Sequence, residues 1–229
     1  MHNDGAIVVS GDGSHTLISP HFNTSYHSLN GSVTESQIVF IQSGLDYLKS
    51  KSFDDIKVFE MGFGTGLNAL LSLIWARTNH IKIEYHSIEA YPISSALAMQ
   101  LNYGQIYNAD ADYIHLHQAD WNHSCHIDPN FTIHKYRCMM EEFESLAKFD
   151  VIYYDAFSPT DQPNLWDEGM MCKMYQLLLD DGILVTYCAK GSFKRALKSA
   201  GFNVENLPGP PGKREITRAI KGFQSKTLT

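Results

Sequence analysis

The sequence has no long hydrophobic run and no leader-like start. No uncharged apolar stretch approaches the length of about 18 residues that a membrane-spanning helix needs. The first five residues, MHNDG, contain neither the basic region nor the apolar region that begins a secretory signal. The 229 residues, 44% hydrophobic and 19% charged, have the size and composition of one globular domain. We therefore expect a cytoplasmic protein.

Paired cysteines are also missing. The four cysteines are far apart and form no C-x-x-C motif, which favours reduced thiols over a disulfide framework or a zinc site. The histidines between residues 115 and 126 lack a carboxylate or thiolate partner on the same face of the strand predicted there, so we expect no metal site. The residues concerned are Cys125, Cys138, Cys172 and Cys188, together with His115, His117, His123 and His126.

What the sequence does have is a glycine-rich turn between a strand and a helix. A short apolar run ends at Glu60, three alternating glycines follow in EMGFGTGLN (60–68), and a dense apolar segment from Leu67 to Trp75 is typical of a buried helix. The glycines allow φ > 0 and a close approach of a ligand, while the helix directs free N–H groups and its positive dipole end at that ligand. The segment therefore predicts a site for a nucleotide-like cofactor.

The spacing of the glycines discriminates between cofactors. A dinucleotide site needs a glycine or alanine three residues after the second glycine, where this sequence has Leu67, and no Gly-Lys-Ser/Thr follows for a phosphate-binding loop. A carboxylate two residues before the first of three alternating glycines is typical of Rossmann-like methyltransferases that use S-adenosylmethionine (SAM). The motif alone leaves one alternative open, a tight connection that binds nothing.

Two more carboxylates are predicted beside the cofactor. Residues 81–88 alternate as a strand and lead to Glu89, 23 residues after the last glycine, a distance at which an acid can accept both hydroxyls of a ribose. Residues 113–118 also alternate, and Asp120 and Trp121 follow them. We expect this acid and this aromatic ring where the adenine binds.

The apolar run 149–154 predicts a buried strand that ends at Asp155. Ligands of open parallel sheets bind beyond the carboxyl ends of the strands, so Asp155 should share a crevice with the glycine turn. It is the strongest catalytic candidate.

The alternation of strands and helices predicts the fold class, one doubly wound α/β domain of Rossmann-like type with a mostly parallel sheet, over residues 37–229. Residues 1–36 are expected to form an extension with a small β-hairpin, and to act either as a lid over the cofactor or as a plain surface element. The spacing of Ser32 and Glu35 predicts a capping box at the start of a helix. Further predicted elements are helices near 93–101, 167–179 and 190–200, and strands at 183–188 and 216–220.

The charge is distributed unevenly. Residues 190–229 contain nine of the 18 Lys and Arg residues and two acids, which gives this end a charge of +7, against −14 for the rest. A basic end on an acidic body predicts a polyanion-binding face or, equally, a solvated helix face with a frayed tail.

Five motifs together resemble a known family. They are DGSHTL (12–17), YHS (26–28), EMGFGTGLN (60–68), YDAFSP (154–159) and PGPPGKRE (208–215), and they are similar to the methyltransferase part of the MnmC-type tRNA-modifying enzymes. The resemblance implies SAM-dependent methylation of the exocyclic amine of 5-aminomethyl-(2-thio)uridine at the tRNA wobble position. The familiar bacterial form carries a flavin-dependent oxidase domain after the methyltransferase, and no second glycine-rich βαβ unit is present before Thr229. We therefore expect a stand-alone methyltransferase, partnered by tRNA and by another enzyme that makes the aminomethyl substrate.

The resemblance also implies roles for individual residues. Asp155 would orient the acceptor amine and, as a second role, accept its proton. Glu60 would order the turn or meet the methionine amine, Glu89 the ribose and Asp120 the adenine. The expected cofactor-binding residues are Glu60, Gly62, Phe63, Gly64, Gly66, Asn68, Glu89 and Asp120, and the expected substrate-binding residues are Tyr26 and Phe157 for the uridine and Lys190, Arg195, Lys213 and Arg214 for tRNA phosphates.

Two other functions fit parts of the same sequence. A small-molecule amine methyltransferase or an aminopropyltransferase of this fold would share the glycine turn, Glu89 and Asp155, without needing the basic end. A nucleotide-binding module without catalytic activity would keep the glycine turn and have no use for Asp155.

Overall fold

A computed structural model describes residues 5–53 and 55–222, and its centre is an eight-stranded sheet in the order β5-β6-β4-β3-β7-β8-β10-β9. The five strands β6, β4, β3, β7 and β8 run parallel to one another, and β5, β9 and β10 are antiparallel to their neighbours. This mostly parallel sheet confirms the predicted doubly wound, Rossmann-like α/β fold class. The strands are β3 (Asp55–Met61), β4 (Lys82–Ile88), β5 (Ser124–Asp128), β6 (Phe131–Tyr136), β7 (Phe149–Tyr154), β8 (Leu178–Thr186), β9 (Phe202–Pro208) and β10 (Glu215–Lys221).

The position of β3 determines where ligands bind. The chain passes from β3 to β4 on one side, whereas β7 pairs with β3 on the other side, so the strand order reverses at β3. Every residue of β7 is buried, as expected for a strand covered on both faces. The crevice at such a reversal lies beyond the carboxyl ends of β3 and β7, where the sequence places the glycine turn and Asp155.

Helices cover both faces of the sheet. The helix after the glycine turn, α3 (Leu67–Asn79), packs on one face together with the helical segment that begins at Ser32. The other face is covered by α7 (Glu168–Leu177) and α8 (Gly191–Ser199). The remaining helices are short: α4 (Ser95–Ala98), α5 (Tyr103–Tyr107) and α6 (Asp110–Gln118). No helix in the described part of the chain is long and apolar enough to cross a membrane.

The N-terminal extension forms the predicted hairpin, β1 (Ala6–Val9) against β2 (His15–Ile18), as a separate two-stranded sheet. A continuous helical segment follows, consisting of α1 (Ser32–Ser36), a π-helical stretch (Gln37–Asp46) and α2 (Tyr47–Ser50). The proposed boundary after residue 36 therefore falls inside one helical run.

The predicted capping box at Ser32 and Glu35 is wrong. Neither side chain caps α1; instead the carboxylate of Asp12, in the hairpin turn, accepts hydrogen bonds from the backbone N–H of Thr34 at 2.9 Å and from its hydroxyl at 2.8 Å. Although burial alone would raise the pKa of Asp12, hydrogen bonds from Ser14 and Thr34 hold it well below its usual value. The hairpin thus supplies the cap, and Glu35 is left free to turn inward.

We expect Asp12→Ala to lower the free energy of unfolding by about 1–2 kcal/mol, because α1 loses its cap. Urea unfolding at pH 7 would measure this, and Asp180→Ala, at an exposed aspartate on β8, should change stability by less than about 0.5 kcal/mol. Equal effects of the two substitutions would contradict the capping role.

Two predicted elements differ from the structure. Residues 113–118 belong to helix α6 and not to a strand, because Tyr113, Leu116 and His117 are buried at helical spacing and two aspartates occupy the first turn. The parallel strand beside β4 is β6 instead. The helix predicted over 93–101 is reduced to α4. The predicted helices near 167–179 and 190–200 are confirmed as α7 and α8, with small changes at their ends.

Candidate active site

The turn between β3 and α3 has the backbone that its glycines predict. Gly62, Gly64 and Gly66 have φ of +92°, +50° and +74°, in the region that favours glycine. A Cβ on Gly66 would lie 2.8 Å from Nε2 of His117, and one on Gly64 would lie 3.1 Å from the Tyr26 ring. Larger residues at Gly64 and Gly66 are therefore disfavoured by close side-chain contacts as well as by backbone conformation.

A cavity of about 510 Å³ opens in front of this turn, a size typical of small-molecule sites. Among the described residues no side chain caps the N-terminus of α3, so its first N–H groups are available to a ligand. The walls come from seven segments: the turn, the end of β4, the loop after β6, the loop after β7, the residue after β8, the loop before β10 and the N-terminal extension. Among the lining residues are Gly62, Phe63, Gly64, Asn68, Glu89, Cys138, Met139, Met140, Glu141, Asp155, Phe157, Tyr26, His27, Glu35, Tyr187 and Lys213.

Glu89 is held in place by backbone donors. Its Oε2 accepts from the N–H of Gly64 at 2.9 Å, and its Oε1 accepts from the N–H of Tyr91 at 2.9 Å. Each oxygen keeps a free lone pair, so the carboxylate can still accept two hydroxyl groups. Burial raises the pKa of Glu89, and the backbone donors oppose that rise. The geometry is that expected for a ribose-binding acid.

Asp155 lies at the end of β7 beside Asn68. The Asn68 amide donates to Oδ2 of Asp155 at 2.9 Å. Burial, and then the negative charge of Glu35, raise the pKa of Asp155 to about 7, while Asn68 and Lys213 act in the opposite direction. A carboxyl group that titrates near neutral pH can both hold an amine and exchange a proton with it.

Glu60 lies beneath the turn and does not line the cavity. It is fully buried, and Oε2 accepts a hydrogen bond from the Ser87 hydroxyl at 2.7 Å. Burial raises the pKa of Glu60 to about 8, so the group is mainly protonated at pH 7. Of its two expected roles, this position favours ordering the turn over meeting the methionine amine.

Aromatic side chains surround the opening of the cavity. The Phe157 ring packs on Phe22 at 4.5 Å and on Tyr26 at 5.1 Å between centroids, and His21 packs on Tyr91 at 4.8 Å. The backbone of Phe157 is fixed on both sides, because its N–H donates to Gln162 and its carbonyl accepts from the Trp166 indole. Such rings offer flat surfaces to a base.

Several expected site residues lie elsewhere. Asp120 is exposed and does not line the cavity, because the segment before it is a helix and not the third parallel strand. The part of the cavity where Asp120 was expected is lined instead by residues 138–141, which follow β6. Gly66 acts as the N-cap of α3 behind the cavity wall. Lys190, Arg195 and Arg214 are exposed outside the cavity, at the edge of the sheet where β8 ends and β10 begins.

Two cavity residues were not recognised as a pair from the sequence. Glu35, read as a cap, and Lys213, read as a phosphate contact, form an ion pair inside the cavity, with side chains 7% and 29% exposed. The sequence gives no local signal for this contact, because the two residues are 178 positions apart.

A group of metal-ligand type lies on the sheet, outside the cavity lining. It consists of Glu84, His86 and His134. The Lys57 ammonium lies 3.0 Å from the Glu84 carboxylate, and the two imidazole rings are parallel to within 5°. Parallel ring planes do not share a point, so the two rings cannot both direct a lone pair at one ion in this arrangement.

Comparisons with known proteins agree with the motifs. Residues 114–222 match a family model described as S-adenosyl-L-methionine-dependent methyltransferase. The chain is 26% identical to the tRNA 5-methylaminomethyl-2-thiouridine biosynthesis bifunctional protein MnmC of Methylobacillus flagellatus, over 86% of this chain and 32% of that protein. It is 28% identical to the MnmC protein of Ralstonia nicotianae, over 89% of this chain and 33% of that protein. The chain thus spans about a third of the length of these relatives.

A solved structure shows the same fold. The crystal structure of MnmC2 from Aquifex aeolicus superposes with a TM-score of 0.72, at 22% identity, over 96% of this chain and 73% of that one. The predicted resemblance to MnmC-type proteins is therefore confirmed, as are the predictions of a SAM-dependent methyltransferase fold and of SAM as cofactor.

Proposed function

We propose that this MnmC-like SAM-dependent methyltransferase methylates the exocyclic amine of 5-aminomethyl-(2-thio)uridine at the wobble position of tRNA. The observation that carries the proposal is the position of Asp155, held by Asn68 in the same cavity as the glycine turn and Glu89. An amine acceptor, an activated methyl group and a carboxyl group that titrates near pH 7 can meet there. A tRNA substrate also implies that the enzyme works in the cytoplasm.

The residues present fit SAM. Glu89 keeps lone pairs for the ribose hydroxyls, the free N–H groups at the start of α3 suit the methionine carboxylate, and the apolar side chains of Cys138, Met139 and Met140 suit the adenine. Glu60 and Gly66 would lie behind the cavity wall and order the glycine turn, and Asp120 would lie outside the cavity without contacting SAM. When bound, SAM supplies an electrophilic methyl group on a sulfonium.

Asp155 orients the acceptor in the proposed mechanism. Its carboxylate accepts a hydrogen bond from the primary amine and directs the nitrogen lone pair at the methyl group, and alignment of this kind supplies much of the rate. Because a primary ammonium cannot attack, a proton has to leave first, and a carboxylate with a pKa of about 7 can take it. Asn68 keeps the carboxylate from rotating.

The uridine base would stack on the cavity-facing side of Tyr26 or Phe157 at the opening, since the two rings contact each other. An extruded base binds well to aromatic faces, and both rings line the cavity close to Asp155. We also propose that residues 1–36 are the lid of this site, since Tyr26, His27 and Glu35 come from that extension.

Lys190, Arg195 and Arg214 would contact phosphates around the opening. Lys213 lies inside the cavity, so we no longer expect it to contact phosphate.

The function is tested by incubating the purified protein with methyl-labelled SAM and bulk tRNA from cells that lack this methylation. We expect label in tRNA and none in small amines. Label in small amines alone would support the small-molecule rival, and SAM binding without any turnover would support a module without catalytic activity.

We expect the triple variant Lys190→Ala/Arg195→Ala/Arg214→Ala to bind tRNA about tenfold more weakly and with a shallower salt dependence, because phosphate contacts are lost. The control is Lys49→Ala/Lys51→Ala/Lys82→Ala, which removes three exposed cations from the opposite edge of the sheet. Filter binding at several salt concentrations measures both affinity and slope. Equal losses in the two triple variants would show non-specific attraction and exclude this face.

A further inference from the structure

Two segments from opposite ends of the chain meet in the cavity that Asp155 also lines. Helix α1 brings Glu35, and the loop before β10 brings Lys213, whose ammonium pairs with the Glu35 carboxylate. The same ammonium lies 4.1 Å from the centre of the Tyr187 ring, and the Tyr187 hydroxyl donates to the Ala156 carbonyl at 2.8 Å. Through Tyr187 the ion pair is therefore connected to the backbone of Ala156, the residue that follows Asp155.

The ion pair is largely removed from water. The Glu35 side chain is 7% exposed, and it makes no capping hydrogen bond in α1, where Asp12 bonds to Thr34 instead. A surface ion pair contributes little to stability, whereas charges that are partly withdrawn from water act more strongly on their neighbours.

The groups that face Asp155 come from six places. They are Glu35 on α1, Glu60 on β3, Asn68 on α3, Tyr85 on β4, Tyr187 after β8 and Lys213. Burial raises the pKa of Glu60 and of both tyrosines, and it lowers the pKa of His27 beside Lys213 to about 4, so these groups are mainly or wholly uncharged at pH 7. Within the described residues that act on Asp155, this leaves the Glu35–Lys213 ion pair as the source of charge.

We propose that the Glu35–Lys213 ion pair is a positioning and tuning element that keeps Asp155 able to exchange a proton with the acceptor amine near neutral pH. The inference rests on the proposed function. Glu35 opposes ionisation of Asp155 and Lys213 favours it, so the pair holds the carboxyl between two unproductive states. A carboxyl that is too acidic takes no proton from an ammonium, and one that is too basic is already protonated.

The proton balance is complete. The Asp155 carboxylate takes one proton from the primary ammonium and the amine becomes neutral. The nitrogen lone pair forms the new N–C bond while the C–S bond breaks, with its electron pair left on sulfur. The product is a secondary ammonium, and Asp155 returns its proton to solvent before the next turnover.

Single substitutions should move the pH dependence in opposite directions. Glu35→Gln removes a negative charge, so the acidic limb of kcat/KM for tRNA, at saturating SAM, is expected to move down by about 0.5–1 pH unit. Lys213→Met removes a positive charge, and the limb is expected to move up by a similar amount. The double variant Glu35→Gln/Lys213→Met should return close to the wild-type position, and Lys213→Arg, which keeps the charge, should stay near it.

A second ion pair provides the matched control. Lys194 and Glu215 are 2.8 Å apart in the same C-terminal region, and neither residue lines the cavity. Lys194→Met and Glu215→Gln should leave the acidic limb in place. A merely structural role for the cavity pair would lower the rate in both single variants without opposite shifts.

A titration without substrates separates this inference from the proposed function. Protein labelled with ¹³C in aspartate carboxyls, with Asp155 assigned from Asp155→Asn, reports the Asp155 titration directly by NMR. We expect the same opposite shifts in Glu35→Gln and Lys213→Met. Shifts in one direction, or no shifts, would overturn the inference, whereas opposite shifts in a protein that does not methylate tRNA would overturn only the proposed function.

Discussion

Replacement of Asp155 with asparagine is expected to lower the rate of methyl transfer about a hundredfold to ten-thousandfold. Asparagine can still accept the Asn68 hydrogen bond, but it cannot take a proton from an ammonium. The measurement is single-turnover transfer to tRNA with SAM and enzyme in excess, so that binding does not limit the rate. SAM affinity and tRNA affinity should both stay within about threefold of wild type.

The matched control is Asp161→Asn. Asp161 also lines the cavity, but its carboxylate is already bonded to the Ser158 hydroxyl at 2.8 Å, and we expect a loss of less than about fivefold. A similar loss in both variants, or a small loss in Asp155→Asn, would show that the acceptor is activated elsewhere.

The raised pKa of Asp155 also makes a prediction about stability. An acid whose folded-state pKa is raised to about 7 destabilises the fold increasingly as pH rises from its unfolded value to about 7. Asp155→Asn removes this cost. The variant should therefore unfold at a higher urea concentration than wild type at pH 8, and the difference should shrink towards pH 4.

The second large effect is expected at Glu89. Glu89→Ala leaves the N–H groups of Gly64 and Tyr91 without their acceptor and removes the acceptor for the ribose, so SAM should bind about a hundredfold more weakly. Isothermal titration calorimetry measures the affinity directly. Glu89→Gln keeps one acceptor oxygen and should lose less.

The control for this prediction is Glu144→Ala, at an exposed glutamate that does not line the cavity, with no expected change in SAM affinity. If Glu89→Ala bound SAM as tightly as wild type, the cofactor would have to lie elsewhere in the cavity.

Local patterns were sufficient to predict that the glycine turn, Glu89 and Asp155 share one cavity. The glycine turn, Glu89 and Asp155 each follow a strand that the sequence marks clearly, and the rule for parallel sheets brings such strand ends together. These predictions needed the order of the strands and nothing about distant contacts.

Asp120 shows where local patterns fail. Residues 113–118 alternate in polarity, yet the same residues also present Tyr113, Leu116 and His117 at helical spacing, and the packing of α6 decides for the helix. The true third strand, β6, alternates as well, so a short segment cannot be assigned from periodicity alone.

The Glu35–Lys213 pair shows a second limit. The spacing of Ser32 and Glu35 fits a capping box, but Asp12 from the hairpin occupies the cap position, and this is a contact between residues 22 positions apart. Glu35 makes no cap and pairs instead with Lys213, from the other end of the chain. Both contacts are tertiary, and no local preference reveals them.

The most direct test of the account is nucleoside analysis of tRNA that carries 5-aminomethyl-(2-thio)uridine, after incubation with the protein and SAM. We predict that this nucleoside disappears and that one heavier by a single CH₂ group, 5-methylaminomethyl-(2-thio)uridine, replaces it, and that Asp155→Asn largely prevents the change. Methylation of another nucleoside, or an unchanged 5-aminomethyl nucleoside with SAM bound, would contradict the account.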